Sequence, residues 1–343
     1  MLELDGAYGE GGGQLVRTAV ALSAITGRAV TIRNVRANRD KPGLAPQHVA
    51  AVRAVAALAG ASVEGVELGS RSITFSPRAL AGGRFRFDVG TAGSVTLLLQ
   101  ALLPVMIASG KPCDAAVIGG TDVRMAPPID YLREVLLVLL SRMGVRVRLE
   151  IRRRGYYPRG GGEVLVSVSP LPLRPAALDA PGALQSVSGL AHVANLPEHI
   201  ATRMRASALE RLASVRGVMP DIACRVLGPD DAIGQGGAIV AWARADGTVL
   251  GAGRVAERGV RAEALGEAAG EELAADLAAG AAVDVHAADQ LLVYFALAGG
   301  GALTTRSVSL HARTCMWLIE QFLPVHFKVS QAGALSRIAL AAP

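Results

Sequence analysis

Residues 11–27, Gly11-Gly12-Gly13-Gln14 running into LVRTAVALSAITG, place a glycine turn at the opening of an apolar helix of roughly four turns. The arrangement returns where Gly90-Thr91-Ala92-Gly93-Ser94 leads into VTLLLQALLPVMIASG, and again where Ala288-Asp289-Gln290 leads into LLVYFALAGGG. Each run closes on a glycine, the residue that best follows a helix end. A short polar segment comes next, then a second amphipathic helix: PQHVAAVRAVAALAG (46–60), PIDYLREVLLVLLSRMG (128–144) and SLHARTCMWLIEQFLP (309–324). Two β-like runs follow in every case: VEGVEL with SITFSP, VRVRLEIRR with GEVLVSVSP, and VHFKVS with ALSRIAL. The chain therefore reads as an α/β (α+β) fold in which one helix–strand–helix–strand–strand unit is written three times.

The third unit is delayed by residues 184–281, which carry elements of their own. A strand is expected over 186–194, a helix over 197–214, strands near 222–226, 238–243 and 249–255, and an Ala/Glu-rich helix over 261–279. The proline-rich segment 170–175 marks a linker just upstream. Residues 1–183 and 282–343 are thus expected to form a large three-unit domain, and 184–281 a small inserted α/β domain.

Of the 343 residues, 51% are hydrophobic and only 4% aromatic, which calls for an aliphatic, Ala/Val/Leu-packed interior. The formal charge of +6 suits a polyanionic partner. Lys41, Lys111 and Lys328 are the only lysines, so nearly all the positive charge sits on arginine, whose planar fork binds phosphate bidentately. A GC-rich genome or heat adaptation would give the same bias, so only local clusters carry weight. Cys113, Cys224 and Cys315 are too scattered for a zinc site or a disulfide framework. The most apolar stretch, 95–108, is too short for a bilayer span and is interrupted by Gln100 and Pro104. With no secretory pattern at the start, a cytoplasmic protein away from membranes is expected.

Chemistry concentrates at helix openings. His311 stands among Arg306, Ser307, Ser309, Arg313 and Thr314 where the last long helix begins, and Asp284 and His286 open the helix before it. Backbone N–H groups at such openings bind anions. Neutral imidazole is abundant at pH 7 and can attack phosphorus without a separate base. Gly9-Glu10-Gly11-Gly12-Gly13-Gln14, with Arg17 one turn on, serves either a tight turn or a close phosphate approach, and the residues leave both open. It is neither a P-loop nor a dinucleotide fingerprint. Arg36, Arg39 and Lys41 share one loop just ahead of Gln47-His48, as solvated charge or as a phosphate cluster. Arg152-Arg153-Arg154-Gly155-Tyr156-Tyr157-Pro158-Arg159-Gly160-Gly161-Gly162 reads, as physics alone, as a bulged hairpin between strands. No lysine lies in a K-x-D-G setting, so lysine-based nucleotidyl transfer has no candidate.

Taken together, these segments resemble the RNA 3′-terminal phosphate cyclases over nearly the whole chain. The strongest match is Arg154-Gly155 with Pro158 and Gly160-Gly161-Gly162-Glu163-Val164. It is joined by Asp5-Gly6 with Gly9–Gln14, Lys41-Pro42-Gly43-Leu44 with Gln47-His48, and Gly119-Gly120-Thr121-Asp122 with Ala126-Pro127-Pro128. Ala288-Asp289-Gln290 and the His311 segment complete the set in the right order.

The resemblance implies three βαβαββ-type repeats, like an initiation-factor C-terminal domain, with a small thioredoxin-like insert. It implies that His311 takes AMP from ATP with release of pyrophosphate. An RNA 3′-terminal phosphate then accepts the AMP to give RNA(3′)pp(5′)A, and the adjacent 2′-OH closes a 2′,3′-cyclic phosphate with loss of AMP. By the same resemblance Gln100, Pro127, Tyr131, Val285, His286, Ala287, Ala288, Asp289, Gln290 and Glu10 hold the nucleotide. Pro127 and Tyr131 fall on the adenine-stacking side, and His286 stands where relatives often carry an aromatic. Arg17, Arg36, Arg39, Gln47 and His48 match the phosphate cluster. A divalent cation, Mg²⁺ or Mn²⁺, is implied near Glu10. Oligomeric state is left open, a homo-oligomer included. Two rivals share related architecture: a non-catalytic ribosome-assembly paralogue, which lacks the nucleophile, and the enolpyruvyl transferases, which are longer two-domain chains.

Overall fold

The computed structural model describes residues 1–340 and is a mixed α/β fold with four sheets. In chain order the structure begins with β1 (Leu2–Asp5), α1 (Gly13–Thr26), β2 (Val30–Arg33), α2 (Pro46–Ala59), β3 (Ser62–Glu64) and β4 (Ile73–Ser76). Next come β5 (Gly83–Asp88), α3 (Val95–Ala108), β6 (Cys113–Gly119) and α4 (Ile129–Tyr131), which continues through a π-helical turn (Leu132–Leu136) into α5 (Leu137–Arg142). The strands β7 (Arg146–Gly155), β8 (Gly162–Ser169) and β9 (Ala177–Leu178) follow. Then β10 (Leu184–Ala194), α6 (Glu198–Leu212), β11 (Asp221–Leu227), β12 (Ala232–Ile233), β13 (Gly236–Ala245), β14 (Val249–Val255) and α7 (Ala262–Ala279) are formed. The chain ends with α8 (Val285–Ala298), β15 (Gly301–Thr305), α9 (Leu310–Phe322), β16 (Phe327–Ala332) and β17 (Leu335–Leu340).

Three of the sheets share one order and one set of directions. β1-β2-β4-β3, β5-β6-β8-β7 and β9-β15-β17-β16 each begin with a parallel pair and continue with two antiparallel pairs. β12 adds a parallel edge to β7. The fourth sheet, β11-β10-β13-β14, lies wholly within 184–255, with α6 and α7 packed together against it. Its buried residues form their own cluster around Met204, Ile239 and Leu273.

The strands follow from alternation. In β8, Val164, Val166 and Val168 are buried while the residues between them are not, the period-2 pattern of a sheet with one covered face. The helices follow from apolar stripes with clean ends: α1 and α8 stop at Gly27 and Gly299, both left-handed. α3 stops one residue earlier than its glycine, at Ser109. α1 packs against α2, α3 and α9, which brings the openings of helices distant in sequence to one region. Among the described residues no helix is long and apolar enough to cross a membrane.

Candidate active site

Helix openings here fall into two kinds. α3 is capped by Ser94 Oγ, α8 by Asp284 and α9 by Ser309 Oγ, so side chains already occupy some of their first N–H groups. At α8 the Asp284 carboxylate takes both His286 N and Ala287 N, at 3.0 and 2.9 Å. The expectation that α8 offers these groups to an anion is therefore corrected: its own buried cap uses them. α1 and α2 begin instead at Gly12 and Ala45, with no side-chain cap bond. At α1 the first N–H groups are left for a ligand; at α2 Pro46 has none and His48 N is bonded to Ala45 O, which leaves Gln47 N.

Arg17 and His48 stand at these two openings. Gly13 is required between them, because a Cβ there would fall on His48 Nε2 and crowd an Arg17 amino group. Arg17 is buried, and its Nε has no hydrogen-bond partner among the described residues. Burial, only partly offset by Asp289, pulls its pKa down to about 10. A buried guanidinium with a spare donor is costly unless an anion completes it. His48 is 3% exposed, and its Nδ1 accepts from Ala45 N at 3.0 Å. Burial, with Arg17 and Arg36 nearby, lowers its pKa to about 3, so the ring is neutral and carries its proton on Nε2. His48 is thus a donor toward the cleft and has no free lone pair to offer there.

His311 is arranged the opposite way. Its ring is exposed at the start of α9, and Nδ1 meets Gln14 Oε1. The Gln14 amide is oriented by its Nε2, which donates to Asp289 Oδ2 at 3.1 Å. Nδ1 therefore donates its proton to Gln14, and the lone pair is left on Nε2. Burial, followed by Arg17 and Arg39, lowers the His311 pKa below its ordinary value, which keeps the ring neutral at pH 7. Sequence reading quoted Gln14 only as part of a glycine motif. Its role emerges from contacts with partners 297 and 275 residues away.

The remaining expected residues divide. Gln100 Nε2 donates to Gln290 Oε1 at 2.9 Å, and Gln290 Nε2 to His286 O. Gln14, Arg17, Gln100, Asp289 and Gln290 line one small cavity of about 30 Å³. A larger apolar cavity of about 250 Å³ shares none of these residues. Burial pushes the Asp289 pKa up to about 7, against His286 and the Gln14 bond. Arg36 donates to Gly43 O at 2.7 Å, which pins the loop, and Arg39 pairs with Glu10. Glu10 N is in turn bonded to Thr314 Oγ1, so this loop is fastened one turn beyond His311. Gln47 is half-buried beside Gly93, and Pro127 is half-buried with its carbonyl held by Thr96. His286 is exposed and bonded to Glu272, which raises its pKa.

Tyr131 departs from expectation. It is 2% exposed, and its hydroxyl donates to Asp284 at 2.6 Å, so its ring has no open face for stacking. It holds the α8 cap instead. Ala287 and Ala288 are buried in the core, and Val285 is half-buried, so the two alanines can meet a ligand only through backbone.

Comparison with known proteins bears on this geometry. The family model described as RNA 3′-terminal phosphate cyclase matches residues 8–329. The chain is 54% identical over 340 residues to the RNA 3′-terminal phosphate cyclase of Nitrosospira multiformis, covering 98% of this chain and 96% of that protein. It is 44% identical to the protein of that name from Pyrobaculum neutrophilum, covering 97% and 96%, and 45% identical to that from Methanopyrus kandleri, covering 96% and 95%.

Proposed function

Because the chain belongs to the RNA 3′-terminal phosphate cyclase family, we propose that it converts an RNA 3′-terminal phosphate into a 2′,3′-cyclic phosphodiester at the expense of ATP. The observation that carries this reading is the orientation of His311, whose Nδ1 is held by Gln14 so that Nε2 presents its lone pair. In the first step Nε2 attacks the α-phosphorus of ATP. The N–P bond forms, the bond to the bridging oxygen breaks, and pyrophosphate leaves. The 3′-phosphate oxygen of the RNA then attacks the same phosphorus and displaces the imidazole, giving RNA(3′)pp(5′)A. Finally the vicinal 2′-OH attacks the 3′-phosphorus, loses its proton and expels AMP. That hydroxyl is already placed, so proximity supplies much of the last step.

Arg17, the uncapped openings of α1 and α2, and the Nε2–H of His48 supply donors for phosphate oxygens. Arg36, Arg39 and Gln47 extend that surface. Gln100, Asp289 and Gln290 hold the nucleotide from the α3–α8 side, with Pro127, Val285 and His286 beside it. A divalent cation would neutralise phosphate charge when bound. Among the described residues no three His, Cys, Asp or Glu side chains converge to hold one, and Glu10 is already paired with Arg39. Glu10 therefore fits as one ligand beside the nucleotide's own phosphates and no more.

The fold is read in the same spirit as three βαβαββ repeats, 1–183 with 282–343, interrupted by a thioredoxin-like insert at 184–281. The common order of the three sheets and the separate core of the insert support this. The reaction is tested with α-labelled ATP. Wild type should acquire acid-labile AMP and cyclise a 3′-phosphorylated oligoribonucleotide, whereas His311→Ala and His311→Asn, folded by circular dichroism, should lose both by more than a thousandfold, the scale for removing a covalent nucleophile. Full labelling of a folded His311→Ala protein would remove His311 from the mechanism.

A further inference from the structure

Tyr8 and Trp317 form an aromatic step on the helix that carries His311, and the reaction itself leaves it unused. Tyr8 stands in a turn held by several bonds: Ala7 N to Asp5 Oδ1 at 3.0 Å, Gly11 N to Tyr8 O at 2.9 Å, and Asn38 Nδ2 to Ala7 O at 3.2 Å. Its ring stacks on Trp317 of α9, with centroids 3.8 Å apart and planes 20° from parallel. Trp317 packs against the main core, while Tyr8 stays 44% exposed. One face of the tyrosine thus rests on indole and the other is open to solvent. An isolated exposed tyrosine is ordinary surface. A tyrosine already fixed by a stack loses little further freedom when something covers its open face.

The step is continuous with the charged side of the site. On α9, Leu310, Arg313 and Trp317 recur at helical spacing, so they share a face that starts next to His311. Leu310 and Arg313 are exposed. Thr314 ties this helix to the Tyr8 turn, because its Oγ1 accepts from Glu10 N at 3.1 Å. Gly9 is required at that contact: its φ is +59°, and a Cβ would fall on Thr314 Oγ1. Trp317 lies six residues beyond His311, about 9 Å along the helix axis and about a third of a turn around it. A stacked strand advances about 3.4 Å per nucleotide, so the axial rise alone takes two to three steps.

We propose that the open face of Tyr8 is a stacking platform for a nucleobase two or three nucleotides from the 3′ end of the RNA. The proposal rests on the cyclase reading above. Stacking on a phenol ring requires a base but not a particular one, since every base has a π-face. Arg313 and Arg39 flank the strip and supply charge for the backbone. The platform therefore gives grip on RNA without sequence preference.

The test measures binding of a 3′-phosphorylated oligoribonucleotide by fluorescence anisotropy at fixed salt. One strand carries all its bases, and another is abasic at the second and third positions from the end. Tyr8→Ala should weaken binding of the complete strand by about 5- to 150-fold, the range for one base–aromatic stack. Tyr8→Phe should bind like wild type, and the abasic strand should bind wild type and Tyr8→Ala alike. Should Tyr8→Ala unfold, Tyr8→Val keeps an apolar cover on Trp317 without a ring and gives the same comparison. Equal loss on both strands would overturn the proposal in favour of a turn-stabilising role. No loss on either would overturn it in favour of another occupant of that face, such as an aromatic side chain of a protein partner. AMP labelling of wild type is read in parallel. Base-dependent affinity without labelling would sink the cyclase reading and leave the platform standing.

Discussion

Arg17 and Arg154 are buried to nearly the same degree, at 8% and 7% exposed, yet their surroundings are opposite. Arg154 donates to Asp122 at 3.1 Å and to Asp130 at 2.6 Å, with His192 and the Tyr156 hydroxyl completing the cluster. Burial alone would lower its pKa, but the two carboxylates hold it above the ordinary arginine value. His192 is pushed down to about 4 by burial and then by Arg154, so the cluster keeps it neutral. Arg17 has only the distant pull of Asp289 and an Nε with no partner. A buried charge that is neutralised inside the protein joins β7, α4 and β10. A buried charge that is not neutralised is retained where an incoming anion completes it.

The comparison is broken most easily by exchanging the two arginines for methionine. Arg154→Met leaves the buried Asp122 without a cation, and Asp130 with Arg133 alone, and should destabilise the protein by about 3–5 kcal/mol. Arg17→Met removes an unpaired charge and should leave stability unchanged or raise it. It should also slow AMP transfer by about a hundredfold, the loss of one or two charge-assisted bonds. Urea titrations and labelling rates on the same preparations decide the matter. An Arg17→Met protein that unfolds as readily as Arg154→Met would erase the distinction.

The next effect is smaller and concerns positioning. Gln14 touches His311, not phosphorus, so Gln14→Ala should slow labelling about 10- to 100-fold, the range for losing an orienting partner. Gln14→Asn should recover part of this. Gln14→Glu would set a carboxylate against Nδ1–H and raise the His311 pKa, moving the acidic limb of the labelling rate to higher pH. A purely structural glutamine would leave that limb where it is.

These residues show how much the chain discloses before it folds. Glycine turns, apolar helices and alternating strands are local, so 46–60 and 249–255 are read almost to the residue as α2 and β14. His311 is legible because Ser309 caps its helix and arginines surround it in sequence. The opening strands β1 and β5 are absent from the helix–strand–helix–strand–strand reading because they are short, four and six residues, and stand ahead of stronger helical signals. Gln14 is illegible because both of its partners lie at the other end of the chain. Tyr131 fails for a related reason: the resemblance puts it on the adenine-stacking side, and tertiary packing turns its hydroxyl onto Asp284. The Arg154 hairpin is the converse. Its glycines read as a bulged hairpin between strands, and in the fold Arg154 is tied inside by two carboxylates.

Asp289 is the anionic counterpart of Arg17 and gives the smallest and most specific test. Its carboxyl is shifted from 3.8 to about 7, chiefly by burial, so the folded protein binds its proton more tightly than the unfolded chain does. A group with a raised folded pKa contributes stability that is fully present below about pH 4 and is lost as pH rises through about 7. Above that, the folded state holds a poorly solvated carboxylate at a cost of roughly 1–4 kcal/mol, the upper end being the full shift at 1.36 kcal/mol per unit. Asp289→Asn keeps an oxygen for Gln14 Nε2 but carries no charge. It should be more stable than wild type at pH 8.5, and the advantage should shrink steadily toward pH 4.5, where the wild-type carboxyl is protonated in the fold. On the proposed placement of the nucleotide, AMP labelling should fall in the same variant. Urea midpoints at the two pH values provide the reading. An equal difference at both would show that the Asp289 charge is accommodated by the fold, which would place it with the Arg154 cluster and not with Arg17.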